Sequence, residues 1–455
     1  LLQWTTAAAA QAQVRTGLAD LARQHWRAPL AAMALLAALI AMATPSPRLA
    51  LALCLAWGAT SVWVWWVSRA RPAARGAALA AEDRAALQVI ARGTWGYFEH
   101  CVSADDNHLP PDNLQTAPYD MLAHRTSPTN IGLYLLSVAC ARAFGWIDTV
   151  QLVARLEATL ATLATLQRHR GHFLNWYDTQ TCAPLLPMYV STVDSGNLAG
   201  HLLAVGAACR ELAGAPAQAA ETAGRLAALA ATCERIAWQA EFGFLYHRRR
   251  RLFHIGFRVA EQELDAGFYD LLASESRLTS LLAIAKGDVP VAHWAALGRP
   301  FFAAGAEAGL LSWSGSMFEY LMPSLVLDEP AGSVLHGACR AALRAHIAFA
   351  HAQGVPWGIS ESAYAGRDHT LAYQYAPQGV ARLALRRTPP DELVVAPYAT
   401  ALAAQIAPQR ACLNFAALQA LAPGTPYGLI EALDFTPARQ AAGAAFTPVA
   451  TFMAH

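Results

Sequence analysis

The chain has 455 residues, of which 55% are hydrophobic and only 14% are charged. This charged fraction is well below that of an average soluble domain and indicates that part of the chain lies in a membrane. The 33 basic and 32 acidic residues nearly balance and are spread along the chain. We therefore expect no basic surface for nucleic acid and exclude nucleic acid as a partner.

Two runs without charged residues lie near the beginning of the chain, at residues 28–47 and 49–68. Each has about the 20 residues that a membrane-spanning helix requires. The segment 44–48 between them contains two prolines and predicts a turn. We expect two transmembrane helices within a membrane segment, residues 1–75, with a buried helical hairpin of a soluble protein as the alternative.

The arginines around these runs predict the orientation of the membrane segment. Three precede the first run and three follow the second, whereas the turn carries only Arg48, so both ends are expected to face the cytoplasm. The eight cysteines are scattered singly and are interpreted as reduced thiols, which fits that compartment. The flanking arginines are Arg15, Arg23, Arg27, Arg69, Arg71 and Arg75.

Beyond residue 75, apolar residues recur at helical spacing in block after block, and almost nothing has the alternation of a β-strand. The connecting stretches concentrate Trp, Tyr, His, Asn and Asp, a composition typical of functional loops. About a dozen helices with such loops predict an all-α fold, an (α/α)6 toroid around a central cleft, with an irregular helical bundle as the alternative. The predicted blocks are 79–101, 129–144, 147–168, 196–213, 217–241, 268–286, 333–352 and 392–421.

The common catalytic motifs are absent from the sequence. No His-Glu-x-x-His, glycine-rich phosphate loop or Gly-x-Ser-x-Gly segment occurs, which argues against metalloprotease, nucleotide-binding and serine hydrolase sites. The histidines do not form a ligand cluster and are interpreted as structural, so no metal and no cofactor is predicted. Among them are His124, His201, His254 and His293.

Two Ser-Glu-Ser tripeptides, at residues 274–276 and 360–362, lie in aromatic and polar surroundings within a chain rich in alanine and leucine. Sugar rings stack their apolar faces on aromatic side chains, while their hydroxyls bind carboxylates, amides and guanidinium groups. Cleavage of a glycosidic bond requires two carboxyl groups. The pattern predicts a sugar site in which Glu275, Glu319 and Glu361 face one cleft.

Structural roles are the alternative for each of these acids. A buried glutamate commonly forms an ion pair, and Arg277 and Arg367 lie close in sequence. Asp194 precedes a predicted helix, so capping of that helix and binding of sugar both remain open.

Several multi-residue segments resemble the cyclic β-1,2-glucan synthases, and the resemblance covers essentially the whole chain beyond residue 76. The matching segments are Arg125–Tyr134, Asn175–Asp178, Ser191–Gly200, Tyr269–Arg277, Ile284–Pro290, Leu311–Pro323, Gly354–Asp368, Ala396–Leu402 and Glu431–Asp434.

The resemblance implies a fragment of a large protein of the bacterial inner membrane with three enzymatic parts. These are a glucosyltransferase that uses UDP-glucose, a central glycoamylase-like α/α barrel and a terminal phosphorylase-like domain. Residues 1–75 would hold the last membrane helices of the transferase part, and residues 76–455 would be the central domain on the cytoplasmic side. The expected partners are linear β-1,2-glucan, the lipid bilayer and the transferase and phosphorylase-like domains.

In that family the central domain is expected to close linear β-1,2-glucan into a ring by transglycosylation with retention of configuration. The resemblance assigns Glu361 as the nucleophile and Glu275 as the acid/base with a raised pKa, although exchange of the two roles is also compatible with it. The predicted glucan-binding residues are Arg125, Trp176, Tyr177, Asp194, Asn197, Asp270, Trp313, Phe318, Glu319, Tyr320, Trp357, Tyr364, Arg367, Tyr373 and Tyr375.

Two other functions remain open at this point. One is an inverting endo-β-1,2-glucanase, because related α/α-barrel hydrolases share parts of these motifs. The other is a non-catalytic, membrane-tethered domain that holds glucan for a neighbouring transferase.

Overall fold

The computed structural model describes most of the chain, in two compact units, residues 1–78 and 79–455. The first three residues of the predicted turn, 44–46, lie outside the described residues, and so do Arg15, Arg69, Arg71 and Arg75. The described ranges are 17–42, 47–67, 79–216, 218–304, 307–389 and 391–455.

The first unit contains four described helices, and they do not confirm the two predicted transmembrane helices. No single described helix is both long and apolar enough to span a membrane. One pair, α3 (Pro47–Gly58) with residues 60–66 of α4 (Thr60–Val67), meets that requirement jointly and is bent by 53°. The other two helices are α1 (Leu18–Gln24) and α2 (Arg27–Ala41).

The described part of the second unit contains eleven α-helices, and most of them coincide with the predicted blocks. The predicted block 392–421 is divided in two, because Pro408 begins a new helix. The helices are α5 (Ala81–Cys101), α6 (Pro128–Ala143), α7 (Thr149–Thr165), α8 (Thr192–Ala213), α9 (Ala220–Ala237), α10 (Arg277–Lys286), α11 (Ala292–Ala296), α12 (Met317–Leu321), α13 (Val334–Gln353), α14 (Pro397–Ala404) and α15 (Pro408–Leu421).

Largely buried helices alternate along the chain with more exposed ones. Helices α6, α8, α10, α12 and α14 are buried over most of their length, whereas α7, α9, α11, α13 and α15 keep exposed side chains. Helix α8 contacts α6 and α10, helix α14 contacts α12 and α15, and α5 contacts both α15 and α6. This alternation of inner and outer helices is that of an α/α-type fold.

Three serines determine where inner helices begin. Ser127 caps α6 by accepting a hydrogen bond from the backbone N–H of Asn130 at 3.1 Å, and Ser191 caps α8 in the same way. Ser316 and Glu319 form a capping box at the start of α12. Each cap satisfies backbone N–H groups that the first turn of a helix leaves free.

Short strands contradict the expectation that almost nothing is β-structure. Nineteen are described, in eight small sheets of two or three strands that decorate the loops. Most have only two to four residues, too few for an alternating pattern to be visible in the sequence. The strands are β1 (Asn113–Gln115), β2 (Met121–Leu122), β3 (Arg125–Thr126), β4 (Arg168–His169), β5 (His172–Phe173), β6 (Tyr177–Asp178), β7 (Tyr189–Ser191), β8 (Tyr246–His247), β9 (Leu252–Phe253), β10 (Gly256–Arg258), β11 (Glu263–Leu264), β12 (Phe301–Ala304), β13 (Glu307–Leu310), β14 (Ser362–Arg367), β15 (Tyr373–Ala376), β16 (Val394–Val395), β17 (Ala432–Asp434), β18 (Thr447–Val449) and β19 (Thr451–Met453).

Two of these sheets fix the last described strands to the rest of the unit. Strand β19 pairs antiparallel with β1, with Met453 opposite Asn113, and β17 pairs with β16 and β18. Five short 3-10 helices complete the secondary structure: Ala104–Asp106, Phe242–Leu245, Met322–Leu325, Ala381–Leu383 and Pro437–Arg439.

Arg277 joins two of the inner helices. Its side chain is fully buried at the start of α10 and donates to the carbonyl oxygens of Glu319 and Tyr320 in α12, at 2.7 Å each. It also forms an ion pair of 3.1 Å with Glu329. Because a buried guanidinium must be fully paired, this side chain fixes the distance between α10 and α12.

We predict that Arg277→Leu lowers the free energy of unfolding by about 3–5 kcal/mol, because Glu329 and two buried carbonyl groups lose their partner. Chemical denaturation followed by tryptophan fluorescence measures this. The control is Arg210→Leu, since Arg210 pairs with Glu234 on the exposed surface and should cost about 1 kcal/mol or less. Equal losses for the two variants would contradict this role of Arg277.

Candidate active site

A cavity of about 280 Å³ lies where inner helices α6 and α8 begin and just before α10 and α12. Both predicted catalytic glutamates line it. The lining residues are Asp112, Arg125, Ser127, Thr129, Asn130, Asn175, Trp176, Val193, Asp194, Ser274, Glu275, Phe318, Glu361, Tyr375, Met453 and His455.

Glu275 immediately precedes α10 and is only 4% exposed. Its carboxylate accepts a hydrogen bond from Asn197 Nδ2 at 2.5 Å and another from the hydroxyl of Ser274. Ser274 has a positive φ of 52°, a conformation that non-glycine residues rarely adopt. With this backbone conformation, the Ser274 hydroxyl contacts the carboxylate of the next residue, Glu275. Glu275 therefore has two donors, Ser274 and Asn197.

Glu361 lies in the loop before β14 and has a poorer set of partners. The hydroxyl of Tyr375 lies 3.3 Å from Oε1, at the long end of hydrogen-bond distances. Among the described residues, neither Glu275 nor Glu361 forms an ion pair, and Arg277 and Arg367 bind other groups. The structural ion pair considered for these glutamates is therefore not observed.

The two glutamates have raised pKa values, mainly because burial disfavours a charged carboxylate. The pKa of Glu275 is raised to about 7 by burial, with the hydrogen bonds from Ser274 and Asn197 acting in the opposite direction. The pKa of Glu361 is raised to about 8 by burial and then by the neighbouring charge of Glu275. Burial therefore raises the pKa of both carboxyl groups, and it raises the pKa of Glu361 further than that of Glu275.

A cluster of hydroxyl groups holds the backbone at Glu361. The hydroxyl of Tyr398 donates to the carbonyl oxygen of Glu361 at 2.8 Å and also lies 2.8 Å from Ser360 Oγ. Ser316 Oγ lies 2.8 Å from Ser360 Oγ and accepts the backbone N–H of Glu361 at 3.2 Å. Ser360 also accepts the N–H of Phe318, so the second tripeptide is bound to the starts of α12 and α14.

Glu319 was predicted to bind sugar, but its carboxylate is occupied by protein donors. It accepts hydrogen bonds from the backbone N–H groups of Ser274, Ser314 and Ser316 and from the hydroxyl of Ser314. It is 2% exposed and does not line the cavity. Its role in this structure is to hold the loop that carries Ser274.

Arg125 and Trp176, two of the residues predicted to bind glucan, form one wall of the cavity. The guanidinium lies 5.1 Å from the centre of the indole ring, within cation–π distance. Trp176 has a φ of 97°, an unusual conformation for a bulky residue and one that functional sites often retain. Arg125 donates two hydrogen bonds to Asp112 Oδ2, at 3.0 and 3.2 Å.

Asp112 is a site residue that sequence reasoning missed. Its side chain is almost fully buried, lines the cavity and also accepts the amide of Asn130 at 3.0 Å. Ser127, Thr129, Asn175, Met453 and His455 were missed as well. The segments Arg125–Tyr134 and Asn175–Asp178 contain three of these residues, so the motifs indicated the region without identifying the side chains.

Asp194 lies in the first turn of α8 and lines the cavity. The alternative that Asp194 caps this helix is wrong, because Ser191 is the capping residue. The hydroxyl of Thr129 donates to Asp194 Oδ1 at 2.5 Å, and Asn197 Nδ2 contacts both Thr129 and Glu275. These side chains form one hydrogen-bonded network between α6, α8 and Glu275.

Several predicted glucan-binding residues are part of the packed interior. Tyr177 and Tyr320 are fully buried, and their hydroxyls donate to the carbonyl oxygens of Gln167 and Leu310. The carboxylate of Asp270 accepts the backbone N–H groups of Leu271 and Gly298. Trp357 packs in the hydrophobic core. Asn197 is buried and contacts two lining residues, Thr129 and Glu275.

Four other predicted residues lie outside the lining of this cavity. Arg367 stacks on the ring of Tyr373 at 4.5 Å and donates to its hydroxyl, and Tyr364 lies beneath Arg439. Trp313 is 53% exposed. Of the predicted residues, the structure therefore brings Arg125, Trp176, Asp194, Phe318 and Tyr375 together with the two glutamates.

The isolated histidines mostly have partners within the protein. His124 contacts Asp106 at 2.7 Å, and His293 is hydrogen-bonded through both ring nitrogens. His254 contacts the carbonyl oxygen of Asp265. Among the described residues, no group of three or more His, Cys, Asp or Glu side chains is arranged to hold a metal ion.

Comparison with known proteins gives two consistent results at the sequence level. A model of the Glycoamylase family matches residues 267–449. Over its whole length the chain is 37% identical, across 570 aligned positions, to the cyclic β-(1,2)-glucan synthase NdvB of Rhizobium meliloti. The resemblance to cyclic β-1,2-glucan synthases is confirmed. The chain spans 20% of the length of that synthase and thus corresponds to one part of it.

Solved structures of low sequence identity share the fold. The endo-β-1,2-glucanase of Chitinophaga pinensis, in complex with sophorotriose and glucose, superposes with a TM-score of 0.61 at 14% identity, over 83% of this chain and 90% of that one. The endo-β-1,2-glucanase of Talaromyces funiculosus, in complex with sophorose, gives 0.63 at 14% identity, over 80% and 82%. With the synthase and the Glycoamylase match, these results support the prediction of a carbohydrate-active enzyme.

We predict that Glu275→Gln lowers the pKa of Glu361, because it removes the neighbouring negative charge that disfavours ionisation of Glu361. An infrared pH titration of the protonated carboxyl band measures this, with the Glu361 contribution identified by its loss in Glu361→Gln. Glu157→Gln, on the surface in an ion pair with Arg225, is the control and should leave the midpoint unchanged. An unchanged midpoint in Glu275→Gln would show that the two carboxyl groups do not interact.

Proposed function

We propose that residues 79–455 form the cyclisation domain of a cyclic β-1,2-glucan synthase, which closes linear β-1,2-glucan into a ring by transglycosylation. The observation that carries this proposal is the pair of carboxyl groups, Glu275 and Glu361, in one cavity with pKa values raised into the neutral range. The identity with a synthase over the whole chain supports the choice of substrate.

The hydrogen bonds favour the exchange of the two roles assigned from the resemblance. Glu275 receives two donors, from Asn197 and Ser274, and these stabilise its ionised form. Glu361 has one long contact, from Tyr375, and the higher pKa. When the pair holds a single proton, that proton therefore resides on Glu361. This makes Glu275 the nucleophile and Glu361 the acid/base.

The reaction then has two steps. The Glu275 carboxylate attacks the anomeric carbon while Glu361 gives its proton to the departing glycosidic oxygen, so the C–O bond to the leaving part of the glucan breaks. In the second step, the ionised Glu361 takes the proton of an incoming 2-hydroxyl, whose oxygen replaces Glu275 on the anomeric carbon. Two inversions give retention, and the leaving Glu275 is again a carboxylate.

The other lining side chains provide the contacts that a glucosyl unit needs. Trp176 and Phe318 offer aromatic faces to the apolar side of a sugar ring, and Arg125 and Asp194 offer a donor and an acceptor for hydroxyls. Asp112 holds the Arg125 guanidinium against Trp176. Ring closure in preference to hydrolysis requires that the other end of the glucan, and not water, reaches the intermediate.

We further infer that residues 1–78 contain the last membrane helices of the parent synthase. Support comes from the exposed apolar side chains of this unit, such as Leu49, Leu53 and Trp63, each more than 60% exposed within the described residues. We also propose that the second unit is an (α/α)6 toroid on the cytoplasmic side of a bacterial inner membrane. Its partners are the lipid bilayer and the glucosyltransferase and phosphorylase-like domains.

We predict that the purified chain converts linear β-1,2-glucan into products that lack one water relative to linear chains of the same length. Mass spectrometry of the products detects this difference directly. Linear fragments alone would identify an endo-β-1,2-glucanase, the activity of the structural neighbours, and unchanged glucan would contradict both catalytic functions. Glu275→Gln and Glu361→Gln should each lower the rate at least about 10³-fold, whereas Glu157→Gln should not.

We predict that an aryl β-sophoroside with a good leaving group separates the two roles. Such a leaving group departs without protonation, so Glu361→Gln should still release one equivalent of phenol per enzyme, whereas Glu275→Gln should release none. A stopped-flow measurement of the phenolate burst gives this number. A burst in Glu275→Gln and none in Glu361→Gln would restore the original assignment, with Glu361 as the nucleophile.

A further inference from the structure

A short chain of hydrogen-bonding groups leads away from Glu361. The hydroxyl of Tyr375 lies 3.3 Å from Glu361 Oε1 and, on its other side, 3.1 Å from Nε2 of His455. The rings of Tyr375 and His455 are also in edge contact, with centroids 5.6 Å apart. All three side chains line the cavity, so this chain of groups belongs to the site.

The direction of the hydrogen bonds in this chain of groups depends on whether Glu361 is protonated. A tyrosine hydroxyl has one hydrogen to donate and lone pairs with which to accept. If Tyr375 donates to His455 Nε2, its oxygen can only accept from Glu361, and this requires a protonated Glu361. If Tyr375 donates to an ionised Glu361 instead, the ring nitrogen of His455 loses its donor.

His455 is suited to the first of these states. Burial lowers the pKa of His455, which favours the neutral imidazole that can accept a hydrogen bond, although the nearby Asp112 and Asp194 act in the opposite direction. The charged and titratable groups that face Glu361 are Glu275, Glu319, Asp194, Tyr269, Tyr375 and Tyr398. Tyr375 is in addition near Glu431. Three of these groups, Glu275, Glu319 and Asp194, are carboxylic acids, and their charges oppose a negative charge on Glu361.

We propose that Tyr375 and His455 are positioning residues that keep the proton on Glu361 before glucan binds. Glu361 donates to the oxygen of Tyr375, and Tyr375 donates to the neutral Nε2 of His455, with the imidazole proton on Nδ1. This inference rests on the proposed function of Glu361 as the acid. Tyr375 was predicted to bind sugar, and this contact gives it a different role.

The same groups also accommodate the ionised form of Glu361. After Glu361 has given its proton to the departing oxygen, rotation of the Tyr375 hydroxyl about one bond turns its hydrogen from His455 to the new carboxylate. No proton crosses from one residue to another in this rotation. When Glu361 takes a proton from the incoming hydroxyl, the hydrogen of Tyr375 returns to His455.

Infrared pH titration of the whole chain without glucan tests this arrangement, with the Glu361 band identified by its loss in Glu361→Gln. In His455→Ala, the Tyr375 hydroxyl becomes free to donate to the ionised carboxylate, so the pKa of Glu361 should fall by about one pH unit. In Tyr375→Phe, which keeps the ring, the further change His455→Ala should produce no additional shift. His351→Ala, at the exposed end of α13, is the control.

The proposal would be overturned if the pKa of Glu361 rose or stayed the same in His455→Ala. It would also be overturned if His455→Ala shifted this pKa equally in the unchanged chain and in Tyr375→Phe. The pH profile of kcat/KM for glucan gives a second reading, because its alkaline limb should move to lower pH by the same amount. The infrared titration needs no turnover. If the predicted shifts occur in a chain that has no activity towards glucan, the proposed function is refuted, whereas this arrangement is supported.

Discussion

The burial of two carboxyl groups in one cavity is the constraint on which the rest of the site depends. A carboxylate removed from water is costly, and two close together cannot both be ionised without further support. The protein supplies that support unequally, with donors at Glu275 and few at Glu361. The surrounding fold keeps this difference fixed, because Asn197 belongs to α8, Ser274 lies in the loop just before α10, and these two helices are packed against each other.

The packing of the inner helices explains how residues far apart in sequence meet here. Helices α6 and α8 both begin at the cavity, and the loops before α10 and α12 end there, so their first turns and caps converge. Arg277 joins α10 to α12 by binding carbonyl oxygens, and Ser316 joins the start of α12 to the backbone of Glu361. A displacement of one helix would therefore move both glutamates relative to each other.

The sequence was sufficient to predict most helix positions, the presence of Glu275 and Glu361 in one cavity, and the family resemblance. Periodicity and rare tripeptides are local signals that can be read without the fold. It could not separate lining residues from core residues within one motif. Trp176 and Tyr177 are adjacent, yet the first lines the cavity and the second is fully buried. The positive φ of Trp176 determines which side chain faces the cavity. Asp112 was missed because its importance comes from Arg125 and Asn130, which approach it only in the folded chain.

The two Ser-Glu-Ser tripeptides show how one local sequence can create opposite environments. In the first, the left-handed backbone at Ser274 directs the hydroxyl to the carboxylate of Glu275 and favours its charge. In the second, the hydroxyl of Ser360 contacts the hydroxyls of Tyr398 and Ser316 and the backbone N–H of Phe318. It therefore makes no hydrogen bond to the carboxylate of Glu361. A nucleophile must be ionised and an acid must be protonated at the same pH. The backbone conformation of Ser274 therefore contributes to the difference in charge between Glu275 and Glu361 that the proposed roles require.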